Sequence, residues 1–146
     1  MSKKKVIISA CLLGHLCRYD GRTKGIDAIV KKFKDYEIIP FCPEAQVFGT
    51  PREKISVVKL DAKHRIITDN TNKDVTQLLK DEINSFIKLY PDADAIVLKS
   101  KSPSCGYATT PIMNKEKEVV NLGNGIAAEI FLKEYTTIKI KDELNY

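Results

Sequence analysis

Three of the four cysteines in this 146-residue chain lie past the end of a short apolar segment, two of them just after it and one in the polar turn that follows it. These cysteines are Cys11, Cys42 and Cys105, and the apolar segments have the length and composition of buried parallel strands. The carboxyl ends of parallel strands meet at one edge of a sheet, where such sheets bind ligands. We therefore expect the three thiols to converge on one crevice. In a reducing compartment, grouped cysteines are more often ligands or catalysts than disulfides.

The spacing leaves the nature of a bound metal open. No Cys-x-x-Cys pair is present, so the zinc-ribbon and thioredoxin signatures are absent and zinc is the weaker interpretation. An iron-sulfur cluster held by three thiolates would leave one iron open to the sulfur of a substrate. Cys17 is an alternative fourth ligand, which would close the cluster and favour electron transfer. Otherwise Cys17 is a spare thiol in the glycine-containing loop 14–25.

The third cysteine lies in a polar turn, residues 99–106, which follows an apolar run. Pro103 fixes its own φ and favours an extended backbone at Ser102, while Gly106 permits conformations closed to other residues. The turn can therefore present Ser102, Ser104 and Cys105 on a stiff backbone. The alternative is an ordinary solvated loop with one incidental thiol.

Hydrophobic periodicity alternates between strand and helix along the chain. We predict strands at 6–9, 37–41, 95–98 and 136–140, helices at 26–33, about 71–90 and 123–134, and a hairpin at 55–60 and 65–68. Residues 111–122 are ambiguous. Parallel strands need covering crossover helices. The pattern therefore predicts a single α/β domain, residues 1–146, with three layers and a mainly parallel sheet flanked by helices. This is a Rossmann-like or flavodoxin-like fold with a possible inserted hairpin.

The composition, 43% hydrophobic and 29% charged, is typical of a soluble globular protein. No apolar run approaches the roughly 20 residues that a membrane span requires, and the run at 6–10 is too short for a signal-peptide core. We therefore expect a cytoplasmic protein without a membrane partner. The net charge of +5 comes from lysines spread along the chain, so it supports nucleic-acid binding only weakly.

Five short motifs together resemble the iron-sulfur-dependent thiouracil desulfidase family, formerly a family of unknown function. They occur in order over nearly the whole chain: Ser-Ala-Cys-Leu-Leu-Gly at 9–14, Arg-Tyr-Asp-Gly at 18–21, Cys-Pro-Glu at 42–44, Thr-Pro-Arg at 50–52 and Lys-Ser-Pro-Ser-Cys-Gly at 101–106. The chain departs from the usual family pattern at residues 45–48, where a glycine-rich stretch is more common, and at Cys17, which is not a usual cysteine position.

The resemblance implies a 4Fe-4S cluster on Cys11, Cys42 and Cys105, with Glu44 and Ser102 assisting catalysis. By themselves the residues favour a surface carboxylate for Glu44 and a turn hydroxyl for Ser102. The implied reaction is a non-redox removal of sulfur from a thiolated pyrimidine such as 2-thiouracil. The substrate sulfur would bind the open iron, and the oxo base and sulfide would be released. The expected partner is thus a small thiolated base, for a monomer or homodimer.

Two other classes of function remain open on these residues. One is an enzyme that transfers sulfur in another reaction, such as thiolation of a tRNA base, although no basic stripe studded with aromatic residues supports it. The other is a non-enzymatic iron-sulfur or zinc protein that stores or senses metal. The colour of anaerobically purified protein and its activity on 2-thiouracil discriminate between these classes.

Overall fold

The computed structural model describes residues 3–14, 26–50 and 52–146 of the chain. The elements follow in the order β1 (Lys5–Ser9), a 3₁₀ turn (Ala10–Leu13), α1 (Asp27–Lys32), β2 (Glu37–Phe41), α2 (Pro43–Phe48), β3 (Ile55–Leu60), β4 (Lys63–Thr68), α3 (Thr76–Leu89), β5 (Ala95–Leu98), β6 (Thr110–Met113), β7 (Val119–Gly123), α4 (Ile126–Glu134) and β8 (Ile140–Asp142).

Four parallel strands form the first sheet, in the order β2-β1-β5-β8. Strand β1 pairs along its whole length with β2, and its other edge pairs with β5. Strand β1 is rich in valine and isoleucine and is almost fully buried, as expected for a parallel sheet covered on both faces. If only the four strands of this sheet are numbered in chain order, their order across the sheet is 2-1-3-4. The order therefore reverses between β1 and β5, which is where open α/β sheets bind ligands.

Alternate side chains of the parallel sheet enter different cores, because successive residues of a strand point to opposite faces. On one face, Val6, Ile8 and Val97 pack in a cluster with residues of the 3₁₀ turn and α1. On the other face, Ile7 and Ile96 belong to a larger cluster that includes residues of α3, α4 and the second sheet. Both faces are thus covered, as the predicted three-layer arrangement requires.

The second sheet is mixed, in the order β4-β3-β6-β7. Strands β3 and β4 form the predicted hairpin, and its turn residues Asp61 and Ala62 have φ values of 49° and 65°, as two-residue hairpin turns require. The hairpin does not stand alone, because β3 also pairs in parallel with β6, and β6 pairs antiparallel with β7. The ambiguous segment 111–122 thus lies largely within the second half of this sheet.

The predicted α/β fold class, with a parallel sheet flanked by helices, is confirmed. Several element boundaries differ from the prediction, and two of them differ by four residues or more. Helix α3 begins at Thr76 and not near residue 71, because the backbone N–H of Val75 still bonds to Ile66 of β4. The last strand begins at Ile140 and not at residue 136. Within the described ranges, no helix has both the length and the apolar character needed to cross a bilayer.

Replacing Phe131 by alanine is expected to destabilise the fold strongly. This ring is fully buried, and its centroid lies 5.0 Å from that of Phe41 and 5.1 Å from that of Tyr135. Removing such a ring leaves a cavity and typically lowers the free energy of unfolding by about 3–5 kcal/mol. Urea denaturation measures the loss. The adjacent Leu132→Ala is the matched control, because Leu132 is 38% exposed and should lose about 1 kcal/mol or less. Equal losses would contradict this packing.

Candidate functional site

A cavity of about 570 Å³ opens at the carboxyl end of the parallel sheet. Cys11, Cys42 and Cys105 all line it. The charged residues of the lining are Glu44, Arg52, Lys54, Lys99, Lys101 and Glu143. The cavity therefore combines three sulfur atoms with four cationic and two acidic side chains.

The three cysteines follow three neighbouring strands of the sheet. Cys11 lies in the 3₁₀ turn after β1, Cys42 comes directly after β2 and precedes α2, and Cys105 lies in the turn region after β5. Because the sheet order is β2-β1-β5, the strands deliver the thiols side by side. The structure thus brings the three cysteines to one crevice, as their spacing predicts. Their role as ligands stays a prediction.

The donor set of the cavity, three cysteine thiols, fits an iron-sulfur cluster. None of the three cysteines forms a disulfide. Within the part of the chain that the structure describes, no three His, Cys, Asp or Glu side chains are placed to hold one metal ion. A four-iron cluster spreads its ligands further apart than one ion does, and cysteine thiolates are its usual ligands. Three thiols around one cavity of this size match such a group.

The turn that carries Cys105 is held by Ser102 at two of its atoms. The side-chain oxygen of Ser102 accepts hydrogen bonds from the backbone N–H of Ser104 at 3.2 Å and of Cys105 at 3.1 Å. Its carbonyl oxygen accepts the N–H of Gly106 at 2.9 Å and the hydroxyl of Thr110 at 2.6 Å. Ser102 therefore fixes the backbone around the third cysteine as well as lining the cavity.

Helix α4 begins against the same turn. The N–H of Gly125 donates to the carbonyl of Gly106 at 2.7 Å, and the N–H of Ala127 donates to that of Ser104 at 2.7 Å. The approach is so close that a β-carbon on Gly125 would lie 2.6 Å from the carbonyl carbon of Ser104. These first N–H groups of the helix bind protein carbonyls, so they hold the cysteine turn and are not offered to an anion.

The environment of Cys105 controls its ionisation. Burial raises the pKa of this thiol, and the nearby Cys42 and Glu44 raise it further, while hydrogen bonds from Ser9 and Ser102 lower it. Burial prevails, so the pKa lies well above its usual value. Metal binding requires the thiolate form, and a bound cation would stabilise that form.

Glu44 lies in the first turn of α2, and its carboxylate is anchored at one oxygen. The hydroxyl of Ser104 donates to Oε2 at 2.5 Å, while Nε of Arg52 lies 3.6 Å from Oε1. The side chains of Glu44 and Arg52 are only 12% and 7% exposed. The hydroxyl bonded to Glu44 is that of Ser104, although the sequence singled out Ser102 for catalysis.

A second acidic group lies on another wall of the cavity. Glu143 accepts the N–H and the hydroxyl of Ser100, both at 2.7 Å, and pairs with Nζ of Lys99 at 3.1 Å. Burial raises the pKa of Glu143, but these hydrogen bonds outweigh burial and the pKa lies below its usual value. Sequence reasoning missed Glu143, because it is more than 40 residues away from Ser100 and belongs to no motif.

All of the predicted site residues are described, but part of the motifs and the alternative ligand lie outside the described residues. This applies to Cys17, Tyr19, Asp20 and the rest of the Arg-Tyr-Asp-Gly motif, since residues 15–25 are not described, and also to Pro51. Among the motif residues that are described, Glu44, Arg52 and Ser102 all reach the cavity.

Comparisons with known proteins identify similar proteins over nearly the whole chain. A curated Bacillus subtilis (strain 168) protein, named uncharacterized protein YbbK, is 31% identical over 152 aligned residues that cover 96% of this chain and 97% of that protein. A solved structure of 4Fe-4S-dependent thiouracil desulfidase TudS is 29% identical, with a TM-score of 0.73, over 97% of this chain and 91% of that chain. The family model described as 2-thiouracil desulfurase matches residues 6–143. The chain therefore belongs to the 2-thiouracil desulfurase family.

Proposed function

We propose that this protein is a non-redox desulfidase that removes sulfur from a thiolated pyrimidine such as 2-thiouracil. The observation that carries the proposal is that Cys11, Cys42 and Cys105 line one cavity together with the carboxylate of Glu44. Membership of the 2-thiouracil desulfurase family and the likeness to the 4Fe-4S-dependent TudS support it. The three cysteines would hold a 4Fe-4S cluster.

When bound, the cluster would supply an open, Lewis-acidic iron that binds and polarises the thiocarbonyl sulfur. The net reaction exchanges sulfur for oxygen: the C=S group and one water give a C=O group and hydrogen sulfide. No electrons are transferred, because the carbon keeps its oxidation state. The two protons of the water end on the released sulfide. The protein must therefore position the water and the base and move protons between them.

Glu44 is suited to move those protons. Its Oε2 is bound by the hydroxyl of Ser104, so the carboxylate is held in one orientation, and Oε1, which lies 3.6 Å from Nε of Arg52, is the oxygen that would accept a proton from water. The side chain is largely buried at the cavity wall, where its position is restricted. A correctly placed general base typically contributes on the order of 10²- to 10⁴-fold to the rate.

Ser102 would be a second residue that acts on the substrate in this cavity. Its oxygen already accepts two backbone N–H groups of the cysteine turn, so its hydroxyl hydrogen is the part that can donate, and in the ligand-free site it interacts with the thiol of Cys105. We assign this hydrogen to a bond with the substrate ring or to a proton transfer. Because Cys105 lies three residues further along the same turn, the hydroxyl would be held next to a cluster that Cys105 binds.

The cysteines provide the first test. Anaerobically reconstituted protein is expected to be brown and to release sulfide from 2-thiouracil, with uracil formed in equal amount. Cys11→Ala, Cys42→Ala and Cys105→Ala should each lose the absorbance and the activity, because three thiolates are needed to hold the cluster. Cys17→Ala is the matched control and should keep both. Loss of colour in all four variants would instead indicate a closed four-cysteine site, and a coloured protein inert on every thiolated base would indicate a metal-storage or sensing role.

Glu44→Gln is expected to keep the cluster absorbance and lose about 10²-fold or more in kcat. The amide preserves size and can still accept the Ser104 hydrogen bond, but it cannot take a proton at neutral pH. Glu44→Ala should lose a similar amount, because both variants lack the base. Near-normal turnover in Glu44→Gln, with an unchanged pH profile, would remove Glu44 from the chemistry.

Ser102→Ala is expected to retain the cluster but to lose turnover. The cysteine turn keeps its backbone bonds from Gly106 to Ser102 and from Ala127 to Ser104, so the ligand stays in place. The deficit should fall on kcat, because the lost bond matures in the transition state. Ser102→Thr retains a hydroxyl and should recover part of the rate. An iron content that falls in step with the activity would reduce Ser102 to a structural role.

A further inference from the structure

Ser9, the last residue of β1, lies beside the third cysteine of the cavity. It is one of the lining residues, yet it is only 2% exposed. Its hydroxyl is hydrogen-bonded to the thiol of Cys105. The two residues are far apart in the chain, and they meet because β1 and β5 are neighbours in the parallel sheet. A candidate cluster ligand is therefore contacted by a hydroxyl from outside its own turn.

A backbone hydrogen bond leaves the Ser9 hydroxyl one direction in which to donate. Its oxygen accepts the N–H of Lys99, the first residue after β5, at 2.8 Å. The hydroxyl hydrogen is then the part that donates, and the sulfur of Cys105 is its acceptor. Burial raises the pKa of Cys105, and the hydrogen bond from Ser9 is the largest effect that lowers it. The donor thus favours the anionic form of the sulfur, which is the form that binds iron.

Ser102 also interacts with this thiol, but the two serines are held differently. Ser102 lies in the cysteine turn and is partly exposed, so its hydroxyl can exchange the sulfur for a substrate. Ser9 belongs to a strand with paired neighbours on both sides, and its oxygen is bound to the backbone of Lys99. The Ser9 hydroxyl is therefore the fixed donor of the two.

Resting on the function proposed above, we infer that Ser9 is a positioning residue for the cluster, whose hydroxyl donates to the Cys105 sulfur and withdraws electron density from it. Hydrogen bonds to the sulfurs are among the factors that set the reduction potential of such clusters. A donor stabilises the more negative, reduced state and so raises the potential. The same withdrawal makes an iron a better acceptor for the sulfur of a substrate. Ser9 would thus keep the iron electron-poor for a reaction without electron transfer.

The test compares two variants of the same shape after anaerobic reconstitution of the cluster. Ser9→Thr keeps the hydroxyl, whereas Ser9→Val replaces it by a methyl group. At a fixed electrode potential, Ser9→Thr should match the wild type. The ratio of reduced to oxidised cluster in Ser9→Val should be about 2- to 10-fold lower, the range for one hydrogen bond. Equal ratios in the two variants would overturn the inference.

Ser100→Ala is the matched control for this comparison. Ser100 is also buried and lines the cavity, but its hydroxyl donates to Glu143 at 2.7 Å and not to a sulfur. The control therefore loosens the segment after β5 without removing a donor to Cys105, and the ratio should stay almost unchanged. A fall as large as that of Ser9→Val would reduce Ser9 to a structural role and contradict the inference.

A vibrational measurement tests the hydrogen bond itself. Exchange of H₂O for D₂O should shift the Fe–S stretching bands in the resonance Raman spectrum, because the hydroxyl hydrogen exchanges. Part of this shift should be lost in Ser9→Val and kept in Ser9→Thr. The same shift in all proteins would overturn the inference. If circular dichroism shows that either variant does not fold, Ser9→Ala is compared with the wild type in both measurements.

The remaining outcomes separate this inference from the proposed function. A cluster-loaded wild type that releases no sulfide would refute the proposed function, while the potential and the isotope shift still decide the role of Ser9. A folded Ser9→Val that takes up no cluster would mean that the hydroxyl is needed for assembly and not for tuning, which would overturn the inference. A wild type that takes up no cluster would overturn both.

Discussion

The site depends on the pairing of β1 with strands on both of its sides. Ile8 pairs with Val97 of β5, and Ser9 pairs with Phe41 of β2. Because of these registers, β1, β2 and β5 end at the same edge of the sheet. Cys11 and Cys42, which follow β1 and β2, therefore both lie at that edge. A slip of one residue in either pairing would move the following cysteine by about 3.3 Å and turn the strand's side chains to the opposite face. The buried faces of the sheet make that slip costly, and the cysteine arrangement is fixed as a consequence.

Hydrogen bonds and ion pairs hold the two acidic side chains of the cavity on different walls. On one side, Ser104 and Arg52 hold the Glu44 carboxylate. On another, Lys99 and Ser100 bind Glu143 and keep it charged. Each acidic group thus has its own hydrogen-bond donors in the cavity wall.

The sequence predicted those parts of the fold that local pattern determines. Strands β2 and β5 were placed to the residue, because β-branched runs bounded by polar turns have few other interpretations. Helix α2 was missed, since six residues are too few to show a helical period. Strand β6 was ambiguous because Pro111 lies within it, and proline argues against a central strand. The contact between Glu44 and Ser104 joins residues 60 positions apart, so no local pattern reports it. That the chain forms a single domain stays a prediction.

The close packing of α4 against the turn that carries Cys105 limits which substitutions the protein can accept in evolution. Gly125 contacts the backbone of Ser104 and Cys105, and a β-carbon on Gly106 would lie 2.9 Å from the carbonyl oxygen of Ser102, besides meeting the Thr110 hydroxyl. Backbone atoms on one side of each contact cannot rotate away as a side chain can. A substitution at either glycine therefore has to move the backbone of the turn that carries Cys105, and side-chain changes elsewhere cannot relieve these backbone contacts. The turn and the start of the helix can be inherited or exchanged only as one unit, whereas the solvent-facing side of α4 is free to vary.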